Sequence, residues 1–174
     1  DWSSDVCSSD LFGFILRDNI NDIGYQSITA PGSLKAYYEA HRDYGVLDWK
    51  TILQPAIEYA GNGWVVRPHV DFWWSIKNHF GRTPNPDRVK FSKSGRDLYC
   101  DAQGNLKAVG DKVVNNDLAD TLKRIAENGA DIFYSGAIAH EIIEDMNSND
   151  ALLTINDLKN YQTKRSKPLW GNYR

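Results

Sequence analysis

Apolar residues recur at helical spacing in five places along this chain, and each is bracketed by its own start or stop signals. In the first, Pro31-Gly32 opens a helix, Leu34, Tyr37, Tyr38 and His41 form one stripe, and Tyr44-Gly45 closes it. In the second, Asp48 caps a continuous face of Trp49, Ile52, Leu53, Ala56, Ile57 and Ala60, and Gly61-Asn62-Gly63 stops it. Pro55 lies inside that helix. A proline there costs about 3 kcal/mol in a free helix, so a break or kink is expected, tolerated only in a fixed tertiary setting. Pro68 starts a third helix carrying Val70, Phe72, Trp73, Ile76, Lys77 and Phe80. Asn116 caps a fourth with Leu118, Leu122, Ile125 and Ala126, ended by Asn128-Gly129. A short turn over 131–134 leads to a fifth, with Ile138, Ile142, Ile143 and Met146 facing inward. Thr154 and Asp157 form a capping box for a brief helix through Lys159.

Between these helices the pattern shortens to extended segments. Residues 12–16 and 25–29 read as short strands split by turn material at 18–22, and residues 82–87 as a two-proline loop. A hairpin is expected over 99–109 around 101–105, and the chain ends in two strands, 161–164 and 169–174. No internal repeat or low-complexity tract is present. The expectation is an α+β, helix-rich architecture.

Composition changes this picture mainly at the start. Residues 1–11, DWSSDVCSSDL, resemble the translation of a sequencing-adapter oligonucleotide and are set apart from fold reasoning, leaving 12–174 as the domain. Composition alone would also allow a natural Ser/Asp-rich terminus. The net charge of −3 comes from 20 basic and 23 acidic residues, and Asp1, Asp5 and Asp10 are three of those acids, so residues 12–174 balance at 20 against 20. No basic excess argues for nucleic acid. With Cys7 set apart, Cys100 is the one thiol left, which supports neither an internal disulfide nor a metal cluster.

Candidate chemistry is thin. His41, His69, His79 and His140 are separated by 28, 10 and 61 residues, which matches no compact ligand pattern. His41 reads as a helix-face contact and His140, beside Glu141, as part of a solvated face. Cys100 sits in the expected hairpin with nothing to activate it. Trp64, Phe72, Trp73, Trp74 and Phe80 read as core packing rather than a ligand platform, although adjacent Trp73 and Trp74 cannot both face inward. No phosphate loop, GxSxG elbow or basic helix occurs.

One ordered series of motifs says more. Pro31-Gly32, Tyr44-Gly45, Pro55-Ala56-Ile57 and Gly63-Trp64-Val65 are followed by Gly110-Asp111 and the run from Asn116 to Leu122. Then come Phe133-Tyr134-Ser135-Gly136, Ile138 with Ile142, the set Thr154, Asp157, Leu158 and Tyr161, and Gly171-x-Tyr173-Arg174. Over residues 30–174 this order resembles the large subunit of the gamma-glutamyltranspeptidases, glutathione-processing N-terminal nucleophile hydrolases. The residues carrying the resemblance are Pro31, Gly32, Tyr44, Gly45, Pro55, Ala56, Gly63, Phe133, Tyr134, Gly136, Asp157, Leu158 and Tyr161.

The resemblance implies a helix-rich fragment of an N-terminal nucleophile hydrolase αββα sandwich, whose sheets are shared with a small subunit cut from the same precursor. It implies a threonine at the start of that small subunit, which attacks the gamma-glutamyl amide of glutathione with its own amino group as base. Water or an amino-acid acceptor then takes the acyl group. No metal, organic cofactor or nucleic-acid partner is implied, and the location is extracytoplasmic. The threonine belongs beyond Arg174. The arginine that grips the substrate carboxylate belongs to an F-R-E element before the Pro-Gly, whereas Arg17 lies in LRD. No catalytic, substrate-binding or metal residue is therefore assigned within the chain, which alone is expected to be inactive. A cephalosporin-acylase-like enzyme and a non-catalytic paralogue acting as a scaffold stand as alternatives.

Overall fold

The structure is a computed structural model that describes residue 16 and residues 20–77 and 82–173. Among them run nine α-helices and two short strands. The expected segment at 12–15, His79, Phe80 and Arg17 lie outside the described residues.

The helical signals are realised nearly where the pattern puts them. Helix α1 covers Ser33–Tyr44 and α2 covers Trp49–Asn62. The Asp48 carboxylate caps α2 by accepting from the backbone of Lys50 and Thr51. Of the break or kink expected at Pro55, the break does not occur: α2 runs on for another seven residues past it. Pro55 lies on the exposed side, while Ile57 and Ala60 are buried. At the helix end Gly63 adopts φ 85°, a conformation that L side chains rarely adopt. It turns the chain into β1, Trp64–Val65, which pairs antiparallel with β2, Lys112–Val113, in the register Trp64 to Val113.

Helices α3 (Pro68–Ser75), α4 (Asn85–Val89) and α5 (Lys93–Tyr99) form a satellite layer. Three expectations fail here. Helix α3 stops at Ser75 instead of reaching residue 80. The stretch expected to be a loop contains α4, because Pro84 and Pro86 occupy the helix start, where a missing N–H is harmless. The expected hairpin contracts to one antiparallel bridge, Cys100 to Leu106, because residues 93–99 are helical. Its turn is held by Asp101, whose carboxylate accepts from the backbone of Gln103 and Asn105.

Helix α6 (Asn116–Asn128) packs along α2, with Ala119, Ile125 and Ala126 buried and Trp49 donating its indole N–H to Ile125 O at 3.2 Å. Its cap is Asn115, not Asn116: Asn115 Oδ1 accepts from Leu118 N at 2.9 Å. Leu118, expected inside, is exposed, and Ala119 takes the buried place. The chain continues through α7 (Asp131–Tyr134), α8 (Ala137–Ser148) and α9 (Ile155–Lys159), the last with the expected Thr154/Asp157 capping box. Ala139, Met146, Leu153 and Leu158 make the buried cluster between α8 and α9.

Both ends differ from expectation. Residues 25–27 form a 3-10 helix rather than a strand, entered through Gly24 at φ 94°. Residues 161–173, where two strands are expected, belong to no helix or ladder among the described residues. No helix among the described residues is long and apolar enough to cross a membrane.

Candidate functional site

The motif residues separate into three groups in space. Pro31, Gly32, Tyr134 and Tyr161 converge on the N-terminus of α1, joined by Phe133, whose ring is 5.1 Å from that of Tyr134. Tyr44 and Gly45 end α1, Gly63 ends α2, and Pro55 and Ala56 lie on the exposed side of α2. Asp157 and Leu158 hold α9, the first in the capping box and the second fully buried.

At the centre of the first group is the Tyr134 hydroxyl. The N-cap position of α1 is Gly32, which has no side chain with which to cap the helix, so its early N–H groups need a partner from elsewhere. Tyr134 supplies one from 99 residues away, accepting from Lys35 N at 2.9 Å and donating to Pro31 O at 2.6 Å. The ring is 2% exposed, stacks on Tyr161 at 6.2 Å and lies under the Lys35 ammonium at 5.2 Å. Burial pushes the Tyr134 phenol above its ordinary pKa, so it remains a neutral donor. A Cβ on Gly32 would come within 1.9 Å of the Tyr161 hydroxyl, and one on Gly136 within 2.7 Å of Ile132 Cα. These glycines are required by close approach. The whole assembly is a structural knot that clamps α1 to α7.

A second constellation, not singled out from sequence, surrounds Asp22. Burial raises the Asp22 pKa, but the hydrogen bonds of Thr83 and the Arg88 guanidinium outweigh it and hold the carboxyl below its usual range. Arg88 spends Nε on Thr83 O and its two terminal nitrogens on Asp22. The pair borders an open cleft of about 430 Å³ that also meets Tyr25, Phe91 and Asp145. An arginine with every nitrogen already engaged is a tie between segments, not a free anion grip. No local sequence signal could have shown it, because the partners are 66 residues apart.

The remaining candidates are also structural. His41 Nε2 is 2.7 Å from the Leu47 carbonyl, to which it donates, and its ring leans on Trp49. His69 and His140 are exposed on different helices. Among the described residues no three His, Cys, Asp or Glu converge as metal ligands. Cys100 is half-buried beside its bridge. The aromatic cluster divides: Trp74 packs between Trp64 and Tyr99, while Phe72 and Trp73, expected in the core, are 61% and 59% exposed.

This combination of motif order and clamped helix start fits the family resemblance, and comparison with known proteins decides it. The family model described as gamma-glutamyltranspeptidase matches residues 5–174. The chain belongs to the gamma-glutamyltranspeptidase family. Among curated members it is 32% identical over 152 residues to the glutathione hydrolase proenzyme of Pseudomonas aeruginosa, a match covering 87% of this chain and 25% of that protein. Among solved structures it superposes on the gamma-glutamyltranspeptidase of Helicobacter pylori with a TM-score of 0.79 and 27% identity, covering 91% of this chain and 43% of that one. The cephalosporin acylase of Bacillus halodurans matches with a TM-score of 0.73 and 30% identity, covering 88% of this chain and 28% of that one. The chain thus spans about a quarter of the curated relative and less than half of either structure. This gamma-glutamyltranspeptidase-family chain is helix-rich with one small sheet, as its neighbours' likeness over most of its length allows.

Proposed function

We propose that these residues form part of the large subunit of a glutathione hydrolase and gamma-glutamyltransferase, made as a self-cleaving precursor. The observation that carries the reading is the family match across residues 5–174, supported by a relative named as a glutathione hydrolase proenzyme. In this reading residues 12–174 build a wall of an αββα sandwich completed by the small subunit. The threonine nucleophile lies outside residues 1–174, and water or an amino acid accepts the gamma-glutamyl group from glutathione. The setting is extracytoplasmic. The chain's own contribution is positional: Tyr134 and Tyr161 fix the α1 end, and the Asp22–Arg88 tie fixes the α4 side.

A second reading, an acylase, is favoured by the likeness to the Bacillus halodurans enzyme. Both are tested by assaying the precursor that contains this chain on a gamma-glutamyl anilide and on a glutaryl amide of a cephalosporin nucleus. Faster glutamate release supports the hydrolase, and preference for the glutaryl amide replaces it with the acylase. Residues 12–174 alone should release nothing from either, and release by them would overturn the placement of the nucleophile.

A further inference from the structure

One apolar pair stands apart on the satellite layer. Phe72 and Trp73 are adjacent on α3, their rings meet edge to face at 5.7 Å, and both are more than half exposed. Trp74 beside them turns the other way, into the packing of Trp64 and Tyr99. The backbone beneath the pair is fixed, because Asn85 donates its side-chain amide to Trp73 O at 2.6 Å and Ser75 its hydroxyl to Phe72 O at 3.0 Å. Arg67, His69, Asp71 and Lys77, close by in the chain, are all exposed. Among the described residues none of these four is in an ion pair. Burying unpaired charges against protein is costly, so this charged setting suits water or a charged boundary and not a further core layer.

The layer that carries the pair is charged opposite to the chain. Residues 67–112 hold nine Lys or Arg and five Asp or Glu, whereas the whole chain has a net charge of −3. Three of those acids are already engaged. Asp97 pairs with Lys93, Asp101 accepts from the backbone of Gln103 and Asn105, and Asp111 accepts from Ala108 N. Lys90, Lys107 and Lys112 are in no ion pair among the described residues. Exposed aromatic rings beside unpaired cations are the combination that settles at the boundary between lipid headgroups and acyl chains. No helix among the described residues is long and apolar enough to cross a membrane, so these residues meet a lipid layer only from its surface.

We propose that Phe72 and Trp73 dock the protein on an anionic lipid surface, the two rings entering the headgroup boundary while Arg67, Lys77 and the basic balance of residues 67–112 draw it there. Docking does not depend on which acyl group the precursor transfers, so an anilide assay of the same preparation separates the two.

Flotation of the precursor that contains this chain, purified without detergent, tests this with vesicles of phosphatidylcholine alone or with about 30% phosphatidylglycerol. Partition onto the anionic vesicles should be about tenfold higher at low salt, and should fall about tenfold in Phe72→Ser with Trp73→Ser and in Arg67→Gln with Lys77→Gln. All four side chains are exposed, so both variants should keep the parent urea midpoint. Trp73→Phe keeps a ring and should retain most of the binding. Flotation that is absent, equal on the two vesicle types, or unchanged in either double variant overturns the docking. Capture on dextran sulfate that needs Arg67 and Lys77 but not the rings overturns it too, and makes the partner a soluble polyanion.

Discussion

At the scale of single residues, the most consequential group is one hydroxyl. Tyr134 satisfies a helix N–H and a loop carbonyl together, and it does so because Gly32 cannot. Removing it strands both groups in a part-buried site, which costs about 1–3 kcal/mol. Tyr134→Phe should therefore lower the urea midpoint of the chain, or of the precursor containing it, with the slope unchanged. Phe133→Leu at the neighbouring position removes ring contact without stranding a polar group and should cost less. If the phenylalanine variant matches the parent, the hydroxyl carries no capping role. Gly32→Ala should be worse than an ordinary glycine replacement, because its methyl meets the Tyr161 hydroxyl and forces the stacked pair apart.

At the scale of elements, local grammar decided most of what could be read in advance. Asp48, Gly45, Gly63, Gly129 and the Thr154/Asp157 box act on backbone groups within four residues, so their signals are complete in a short window. Where two adjacent residues could both serve, the window was insufficient: Asn115 and Asn116 are equally good caps by type, and only the backbone shows that Asn115 is outside the helix at φ −130°. Asn115→Ala should cost about 1 kcal/mol, and Asn116→Ala, one residue inside, should stay within about 0.5 kcal/mol of the parent in thermal or urea unfolding. The reverse order would move the cap back to 116. Features that need a distant partner were not legible. The strands expected at 161–164 and 169–174 join no ladder among the described residues, and the Asp22–Arg88 tie and the Tyr134 cap join segments 66 and about 100 residues apart. A break or kink is expected at Pro55 because a free helix bears its full cost; α2 is not broken there, with Pro55 exposed and Ile57 and Ala60 buried.

At the scale of the molecule, the balance of apolar surface points outward. Fourteen hydrophobic residues are buried among the described ones, five of them alanines, while twenty large apolar side chains are exposed. Tyr37, placed inside by its helical stripe, is 69% exposed, and Val46, Leu47, Phe72, Trp73 and Leu152 lie bare as well. Scattered apolar residues are ordinary on a protein surface, but a chain showing more large ones outside than in is short of covering partners. In isolation it should bind a hydrophobic dye such as ANS and self-associate at micromolar concentration, with the dye signal falling when the chain is part of its complete precursor. A dye-silent, monomeric chain with a sharp reversible unfolding transition would contradict this. The family reading supplies the reason, since the chain matches only a quarter of its glutathione hydrolase relative.

Two of the glycine helix stops, Gly63 and Gly129, carry a chemical consequence. Each follows an asparagine, giving Asn62-Gly63 and Asn128-Gly129, the pairing in which a glycine nitrogen most readily attacks the side-chain amide, expels ammonia and forms a succinimide. Here both nitrogens are engaged, Gly63 with Tyr59 O at 3.0 Å and Gly129 with Ile125 O at 2.9 Å, and the Asn128 amide is itself held on Arg124 O. Deamidation must then wait for the last helical turn to open. The age of a preparation, read as isoaspartate at 62 and 128, becomes a record of how often the ends of α2 and α6 have come undone.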